Sequence, residues 1–195
     1  LVVNVNKINI MIVGVGGQGT LLASRILGSV ALKKNYDVKL SEVHGMSQRG
    51  GSVVTYVKMG DKIHSPIVEK GEADIILAFE QLEALRWADY LKCGGRMVIN
   101  EQKMDPMPVI IGKAAYPDAI IERINEGCKN IISIDALEIA RKCGNIKAVN
   151  VVLLGVLAKS TEIEKDIWLD AINEVVPAKF LDVNIKAFEE GYQAV

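Results

Sequence analysis

The residues best suited to chemistry begin with a glycine-rich turn, Gly14-Val15-Gly16-Gly17-Gln18-Gly19. The turn has the spacing G-x-G-x-x-G and stands between an apolar run and an apparent helix. Glycines permit positive φ angles and let backbone N–H groups come close to a ligand, while the helix N-terminus adds about half a positive charge. The turn is therefore a candidate for holding a phosphate or another anionic group.

Three interpretations of this turn are compatible with the sequence alone. It can form a dinucleotide site, because Glu42 ends the second predicted strand, where a ribose-binding acid would stand. It can be purely structural, since glycines also allow a tight turn and close packing of a helix. It can also face a ligand that is shared with another chain.

A second polar loop, His44-Gly45-Met46-Ser47-Gln48-Arg49-Gly50-Gly51, follows the second predicted strand. If both strands belong to a parallel sheet, both loops lie at the carboxyl ends of strands, where ligands bind. The Arg49 guanidinium suits a bidentate contact to a phosphate or carboxylate, and His44 suits a donor or acid near neutral pH. The density of hydrogen-bonding groups predicts a functional loop.

The elements that must position these loops alternate between strand and helix. The sequence predicts strands over residues 8–13, 36–43, 52–58, 74–79, 96–100 and 130–135, and helices over 21–34, 80–91, 119–127, 136–144 and 147–159. Strand 52–58 is expected to form a β-hairpin through a Gly60-Asp61 turn with a short return strand. Gly94-Gly95 is expected to close the helix before it, and residues 104–112 to form a loop with an extended stretch. The last stretch, residues 164–190, predicts one or two helices broken near Pro177.

This alternation predicts an α/β fold: a Rossmann-like three-layer sandwich with a mainly parallel sheet plus a β-hairpin. The chain shows no internal repeat, low-complexity segment or linker, so residues 1–195 are expected to form a single domain.

Composition excludes several classes of function. The chain has 23 Lys and Arg against 24 Asp and Glu, for a net charge of −1, so no basic excess points to nucleic acid. Its longest apolar run, residues 149–158, is too short to span a membrane. Cys93, Cys128 and Cys143 are too few for an iron–sulfur cluster or a structural zinc site, and no metal site is expected. A reduced, cytoplasmic protein is expected.

Three segments together resemble the 2-oxoacid:ferredoxin oxidoreductases: GVGGQGTLLASRILG, SEVHGMSQRGGSV and GEADIILAFEQLEALR. The turn is shared across that superfamily, whereas the string from His44 to Gly51 is similar to the β-subunit family of its indolepyruvate branch. Related pyruvate and 2-oxoglutarate enzymes have a homologous γ subunit or domain. The resemblance is strongest from Ile8 to Asn100, so these other 2-oxoacids stay open as substrates.

The resemblance implies a reaction in which a 2-oxoacid, coenzyme A and oxidised ferredoxin give an acyl-CoA, carbon dioxide and reduced ferredoxin. It implies a larger α subunit that carries thiamine diphosphate, magnesium and 4Fe–4S clusters and that reduces ferredoxin within an α₂β₂ complex. The present sequence has Gly60-Asp61-Lys62 in place of a Gly-Asp-Gly motif for thiamine diphosphate. We therefore expect this chain to bind no cofactor and to be inactive without its partner.

On this basis the two loops are expected to complete the partner's active site. The predicted catalytic residues are His44 and Arg49, and the predicted substrate- or cofactor-binding residues are Gly14, Gly16, Gly17, Gln18, Gly19, Ser47, Gln48, Gly50 and Gly51. Two alternatives remain: a free-standing nucleotide-binding domain that acts as a small dehydrogenase or redox sensor, and a purely structural subunit whose loops touch no substrate.

Overall fold

The computed structural model describes residues 7–44 and 50–195 of the chain. In these residues six strands form one sheet in the order β2-β3-β1-β4-β5-β6. The strands are β1 (Lys7–Val15), β2 (Asp37–His44), β3 (Ser52–Gly60), β4 (Ala73–Ala78), β5 (Leu91–Asn100) and β6 (Ile131–Ile134). The helices are α1 (Thr20–Lys33), α2 (Gln81–Trp87), α3 (Met107–Ile110), α4 (Ile120–Gly127), α5 (Ala136–Lys142), α6 (Val149–Lys159), α7 (Lys165–Val175) and α8 (Leu181–Gln193).

The strand directions bring the two loops to one edge of the sheet. Strands β1, β4, β5 and β6 run parallel to one another, whereas β3 runs antiparallel to both of its neighbours, β1 and β2. Consequently β2 points the same way as β1 although the two strands are not adjacent. We call the edge where β1, β2, β4, β5 and β6 end, and where β3 begins, the carboxyl rim.

Helices cover both faces of the sheet, and the alternation of β1 shows why. Ile10 and Ile12 point into a core formed with helices α1, α5, α6, α7 and α8. Met11 and Val13 point to the opposite face and pack with residues of α2 and α4. Because β1 is buried on both faces, its continuous apolar sequence is that of a central strand. The predicted mainly parallel, three-layer α/β fold is confirmed.

The predicted hairpin is wrong in its pairing. Strand β3 does form a hairpin, but with the preceding strand β2, and residues 61–72 contain no helix or strand. The physical reason is that β1 and β2 already hydrogen-bond to the two edges of β3. No edge is left for a return strand, and Pro66 lacks the N–H that such a strand would donate.

Three further boundaries differ from the sequence prediction. Helix α2 ends at Trp87 and is followed by a 3₁₀ turn, so Gly94 and Gly95 lie inside β5 rather than closing a helix. They occupy an irregularity of the ladder, because Ala73 pairs with Leu91 whereas Ile75 pairs with Arg96. The predicted loop over 104–112 contains the short helix α3, with Pro108 in its first turn, where proline is tolerated. The C-terminal stretch is two helices, α7 and α8, separated at Pro177 as predicted.

Helix α6 is buried along almost its whole length and packs unusually close to α8. The closest approach involves glycines on both helices, since a Cβ atom at Gly155 would lie 2.2 Å from the Phe188 carbonyl oxygen. A Cβ atom at Gly191 would lie 2.0 Å from the Val152 carbonyl oxygen. Despite this apolar helix, the described part of the chain contains no helix with the length and hydropathy of a membrane span.

We predict that Gly155→Ala destabilises the protein by roughly 1–3 kcal/mol or more, because the added methyl group meets backbone atoms that only a shift of α8 can move. Gly127→Ala is the matched control, since that helical glycine has open space around its Cβ position. The control should be neutral or stabilise by up to about 1 kcal/mol. Urea titrations measure the free energy of unfolding of both variants, and the m-values should stay unchanged. Equal stability of the two variants would contradict the packing argument.

Candidate functional site

The two glycine-bearing loops are hydrogen-bonded to each other at the carboxyl rim. The Gly16 N–H donates to the Gly51 carbonyl oxygen at 2.9 Å, and the Gly50 N–H donates to the Gly16 carbonyl oxygen at 3.4 Å. These bonds extend the β1–β3 ladder, whose last pair is Val15 with Ser52. The predicted meeting of the loops is therefore observed, although the antiparallel strand β3, and not direct β1–β2 pairing, brings it about.

Three of the predicted site residues, Ser47, Gln48 and Arg49, lie outside the described residues. The remaining predicted residues lie in or beside the two loops, at the rim where β1 and β2 end and β3 begins.

Gly17 and Gly19 both adopt left-handed backbone conformations, with φ angles of 102° and 84°. At Gly19, the N-cap residue of helix α1, a Cβ atom would lie 2.7 Å from Asn150 Nδ2. The Asn150 side chain in turn donates to the Gly19 carbonyl oxygen at 3.2 Å. Glycine is thus favoured at position 19 by its positive φ and by the nearby Asn150 side chain of α6, whereas a Cβ atom at Gly17 would meet nothing within 4 Å.

Gln18 faces into the protein and holds the turn in shape. Its Oε1 atom accepts from the Val15 N–H at 2.7 Å, and its Nε2 atom donates to the Phe79 carbonyl oxygen at 3.0 Å and to Gln102 Oε1 at 3.2 Å. A Cβ atom at Gly14 would lie 2.8 Å from Gln18 Oε1, so the glycine makes room for that side chain. These two predicted binding residues therefore serve the packing of the turn.

A cavity of about 380 Å³ opens between the turn and the end of β2. Its lining residues are Gly16, Gly17, Gly19, Thr20, Leu21, Glu42, His44 and Val53. The Gly16 N–H is already used in the bond to Gly51, but the N–H groups of Gly17 and Gly19 donate to no acceptor among the described residues. The cavity thus combines backbone donors at a helix N-terminus with a carboxylate and an imidazole on its β2 side.

The polarity of the cavity is uneven. The α1 side offers N–H groups and the positive end of the helix dipole. The β2 side carries Glu42, whose carboxylate also accepts a hydrogen bond from Thr55 Oγ1 at 3.3 Å. An anionic group is therefore favoured on the α1 side and repelled on the β2 side.

A buried carboxylate, which the sequence analysis missed, ties the second loop to helix α2. Glu83 is 1% exposed, and its Oε2 atom accepts from Ser52 Oγ at 2.6 Å and from Trp87 Nε1 at 3.3 Å. Its Oε1 atom accepts from Arg86 at 2.5 Å. Because Ser52 is the first residue of β3, this network fixes the point where the second loop joins the sheet.

A second buried carboxylate, Glu80, holds the segment that follows β5. As the N-cap of α2 it accepts from the Glu83 N–H at 2.9 Å, and its other oxygen accepts from the Met104 N–H at 3.1 Å and from the Tyr116 hydroxyl. Burial, and then the hydrogen bond to Glu80, raise the pKa of Tyr116 well above its usual value. The spacing of Glu80 and Glu83 at the start of a predicted helix was the available signal, since acids favour N-terminal turns.

Comparison with known proteins shows the family of the chain. The family model for pyruvate ferredoxin/flavodoxin oxidoreductase matches residues 9–194. The chain belongs to this family. The resemblance to the 2-oxoacid:ferredoxin oxidoreductases, seen in the loops and in α2, is confirmed.

Individual relatives of this oxidoreductase family agree with the match. The chain is 44% identical over 191 residues to the indolepyruvate oxidoreductase subunit IorB of Pyrococcus horikoshii, with 95% of each chain covered. It is 27% identical over 190 residues to the ketoisovalerate oxidoreductase subunit VorA of Methanothermobacter thermautotrophicus, covering 95% of this chain and 36% of that protein. The fold matches the pyruvate oxidoreductase subunit PORC of Thermotoga maritima with a TM-score of 0.73 at 20% identity, covering 96% of each chain.

The residues of this family member do not fit an iron–sulfur cluster of their own. An iron–sulfur cluster requires four ligands, usually cysteines, and the cysteines number three. Within residues 7–44 and 50–195 no group of three or more His, Cys, Asp or Glu side chains is placed to hold a metal ion. Gly60-Asp61-Lys62, the nearest sequence to a thiamine diphosphate motif, lies at the opposite end of β3 from the carboxyl rim.

We predict that Tyr116→Phe lowers the free energy of unfolding by about 1–3 kcal/mol near pH 7. The variant leaves buried Glu80 without one donor and the Leu82 N–H without its acceptor, which is the Tyr116 oxygen at 3.2 Å. A raised pKa means that the folded protein holds the phenol proton more tightly. This stabilisation is complete below the ordinary tyrosine pKa, near 10, and is lost as pH rises above it.

In denaturant titrations the difference between wild type and Tyr116→Phe should therefore stay constant up to about pH 9 and shrink as the pH rises above about 10. Tyr36→Phe is the control, because Tyr36 is also partly buried but packs against the core on the opposite face of the sheet from Tyr116. A pH-independent difference for Tyr116→Phe would argue against the assigned hydrogen bonds.

Proposed function

We propose that this chain is the small subunit of an indolepyruvate ferredoxin oxidoreductase. The enzyme would convert an aryl 2-oxoacid, coenzyme A and two oxidised ferredoxins into an acyl-CoA, carbon dioxide, two reduced ferredoxins and a proton. The observation that carries the proposal is the cavity that the two glycine-bearing loops share at the carboxyl rim. The 44% identity to the Pyrococcus subunit favours indolepyruvate over pyruvate or 2-oxoglutarate.

The proposed partner is a larger subunit that holds thiamine diphosphate, magnesium and 4Fe–4S clusters and that passes electrons to ferredoxin. Thiamine diphosphate would supply the decarboxylation chemistry, and the present chain would be inactive alone. The names of the relatives, which are subunits, support such an assembly. We also propose that residues 1–195 act as one domain and that the complex is cytoplasmic.

The described residues suggest what this subunit contributes. The N–H groups of Gly17 and Gly19 would bind an anionic group, either a coenzyme A phosphate or the substrate carboxylate, with help from the α1 dipole. His44, which lines the same cavity, would donate a hydrogen bond or a proton to the bound molecule. Gly14, Gln18 and the Gly50-Gly51 pair would hold the loops in position.

For the loop residues between His44 and Gly50, the proposed roles follow from the charge and hydrogen-bonding groups of each residue type. Arg49 would offset phosphate or carboxylate charge, and Ser47 and Gln48 would orient the substrate through hydrogen bonds. The indole ring would bind mostly to the partner, because aromatic residues make up only 5% of this chain.

One observation favours a second candidate function. Glu42 lines the same cavity as the glycine-rich turn, where the ribose-binding acid of a dinucleotide site would stand. A free-standing nucleotide-binding domain would bind NAD or FAD without a partner. Isothermal titration of the isolated chain with each dinucleotide separates the two functions, because tight binding supports only the second.

The proposed function predicts that reduction of ferredoxin requires both subunits. The chain produced together with its larger subunit should reduce ferredoxin when supplied with indolepyruvate and coenzyme A, whereas either subunit alone should not. Phenylpyruvate, pyruvate and 2-oxoglutarate in the same assay define the substrate. If pyruvate or 2-oxoglutarate gives the highest kcat/KM, the indolepyruvate assignment is overturned. Full activity of the larger subunit alone would overturn the proposed role of this chain as a required subunit.

The proposed anion site predicts a specific effect of Gly17→Ala in that complex. The change costs about 1 kcal/mol of backbone strain and projects a methyl group from the turn that lines the cavity. Gly71→Ala is the matched control, since Gly71 also has a positive φ, of 75°, and open space, but precedes β4 at the other end of the sheet. Both variants should lose similar stability.

Only Gly17→Ala should raise the KM for coenzyme A or the 2-oxoacid, by about tenfold. Unchanged Michaelis constants in the Gly17→Ala complex would remove the turn from the binding site.

A further inference from the structure

The short helix α3 and the residue after it expose an apolar surface. Met107, Ile110 and Ile111 have 64%, 65% and 54% of their surface exposed, and we call these three residues the rim patch. No residue of α3 is buried, so the helix contributes nothing to the core of this chain. Three large apolar residues within five positions have no intramolecular function there, and such patches mark interaction sites.

The segment that carries the rim patch is anchored beside the two loops. Buried Glu80 accepts hydrogen bonds from Met104 and from Tyr116, one on each side of the patch in sequence. Residues 104–106 also line a small cavity together with Val15 and Gly50, which belong to the two loops. The rim patch is thus held at the carboxyl rim, next to the candidate site.

We propose that the rim patch is the docking surface for the larger, thiamine-diphosphate-bearing subunit; this inference rests on the proposed function. A partner seated on the patch lies next to the segment that borders Val15 and Gly50, and from there it can present its own groups to the two loops. Two further exposed apolar residues, Leu21 at the start of α1 and Val43 at the end of β2, lie at the same rim and are 49% and 52% exposed. Other exposed apolar residues, such as Leu32 at the far end of α1, lie away from it.

The comparison with VorA supports the larger subunit, rather than a second copy of this chain, as the partner that covers the rim patch. The matched region makes up 36% of that protein, so there the corresponding residues are joined to a larger part of the same oxidoreductase subunit. A separate small chain must replace this covalent connection with a non-covalent interface. Apolar side chains concentrated beside the two loops are suited to that purpose, because the hydrophobic effect is the dominant favourable term in most protein–protein association.

The test uses the triple variant Met107→Ser/Ile110→Ser/Ile111→Ser and the full-length larger subunit. We expect the dissociation constant of the complex to rise by about tenfold or more, measured by sedimentation or surface binding. Leu32→Ser is the matched control, because Leu32 is 65% exposed but lies at the opposite end of α1 from the rim. The control should change the dissociation constant by less than about twofold.

The outcomes distinguish this inference from the proposed function. Wild-type chain that fails to bind the larger subunit overturns the proposed function itself. If the wild-type chain and the triple variant bind the larger subunit equally well, only the proposed docking surface is overturned. If the isolated wild-type chain forms a homodimer and the triple variant is a monomer, the patch binds a second copy of this chain. That result also overturns the proposed docking of the larger subunit.

A photo-crosslinking residue at position 110 provides a measurement that does not depend on the triple variant's stability. In the assembled complex it should crosslink to the larger subunit, whereas the same residue placed at position 32 should not. Crosslinking from position 32 alone would contradict the proposal.

Discussion

The backbone hydrogen bond from Gly16 to the Gly51 carbonyl oxygen is the interaction on which the site depends. It exists because β3 runs antiparallel between β1 and β2, so the start of β3 meets the end of β1. The peptide that closes the second loop is thereby attached to the glycine-rich turn of the first. Without this strand order the two loops would leave the sheet at separate places and would share no cavity.

Behind the loops, two buried carboxylates at the start of α2 provide a rigid support. Burying a carboxylate is costly unless its oxygens are satisfied. Glu83 meets this requirement through Ser52, Arg86 and Trp87, and Glu80 through backbone N–H groups and Tyr116. Since one network ends at the start of β3 and the other at the segment after β5, α2 couples the second loop to the rim patch.

The residues of the glycine-rich turn divide between its own packing and the open cavity. The turn uses Gly14, Gln18 and Gly19 for its own packing, and it leaves Gly17 open to approach from outside. The ligand set for clusters is missing from the described residues, whereas backbone donors, a helix N-terminus and an imidazole are present at the rim. This distribution suits a subunit that supplies binding groups while its partner supplies the redox chemistry.

Much of the fold followed from local patterns in the sequence. The apolar run of β1, the helix predicted over 21–34, and the break at Pro177 each depend on residues close in sequence, and each prediction is confirmed. The family resemblance likewise rested on contiguous motifs. The predicted return strand after Gly60 failed because strand pairing depends on which edges distant strands have already occupied.

The sequence by itself determined most of the strands and helices, the position of the two glycine-bearing loops in the chain, and the family. The tertiary structure decided the division of roles inside the loops, because whether a glycine or an amide serves packing or a ligand depends on distant neighbours. Gln18 is held by Phe79 and Gln102, and Gly19 by Asn150, contacts between residues more than 60 positions apart. The buried position of Glu80 and Glu83 was also invisible in sequence, since burial is set by the elements that pack over a helix and not by the helix itself.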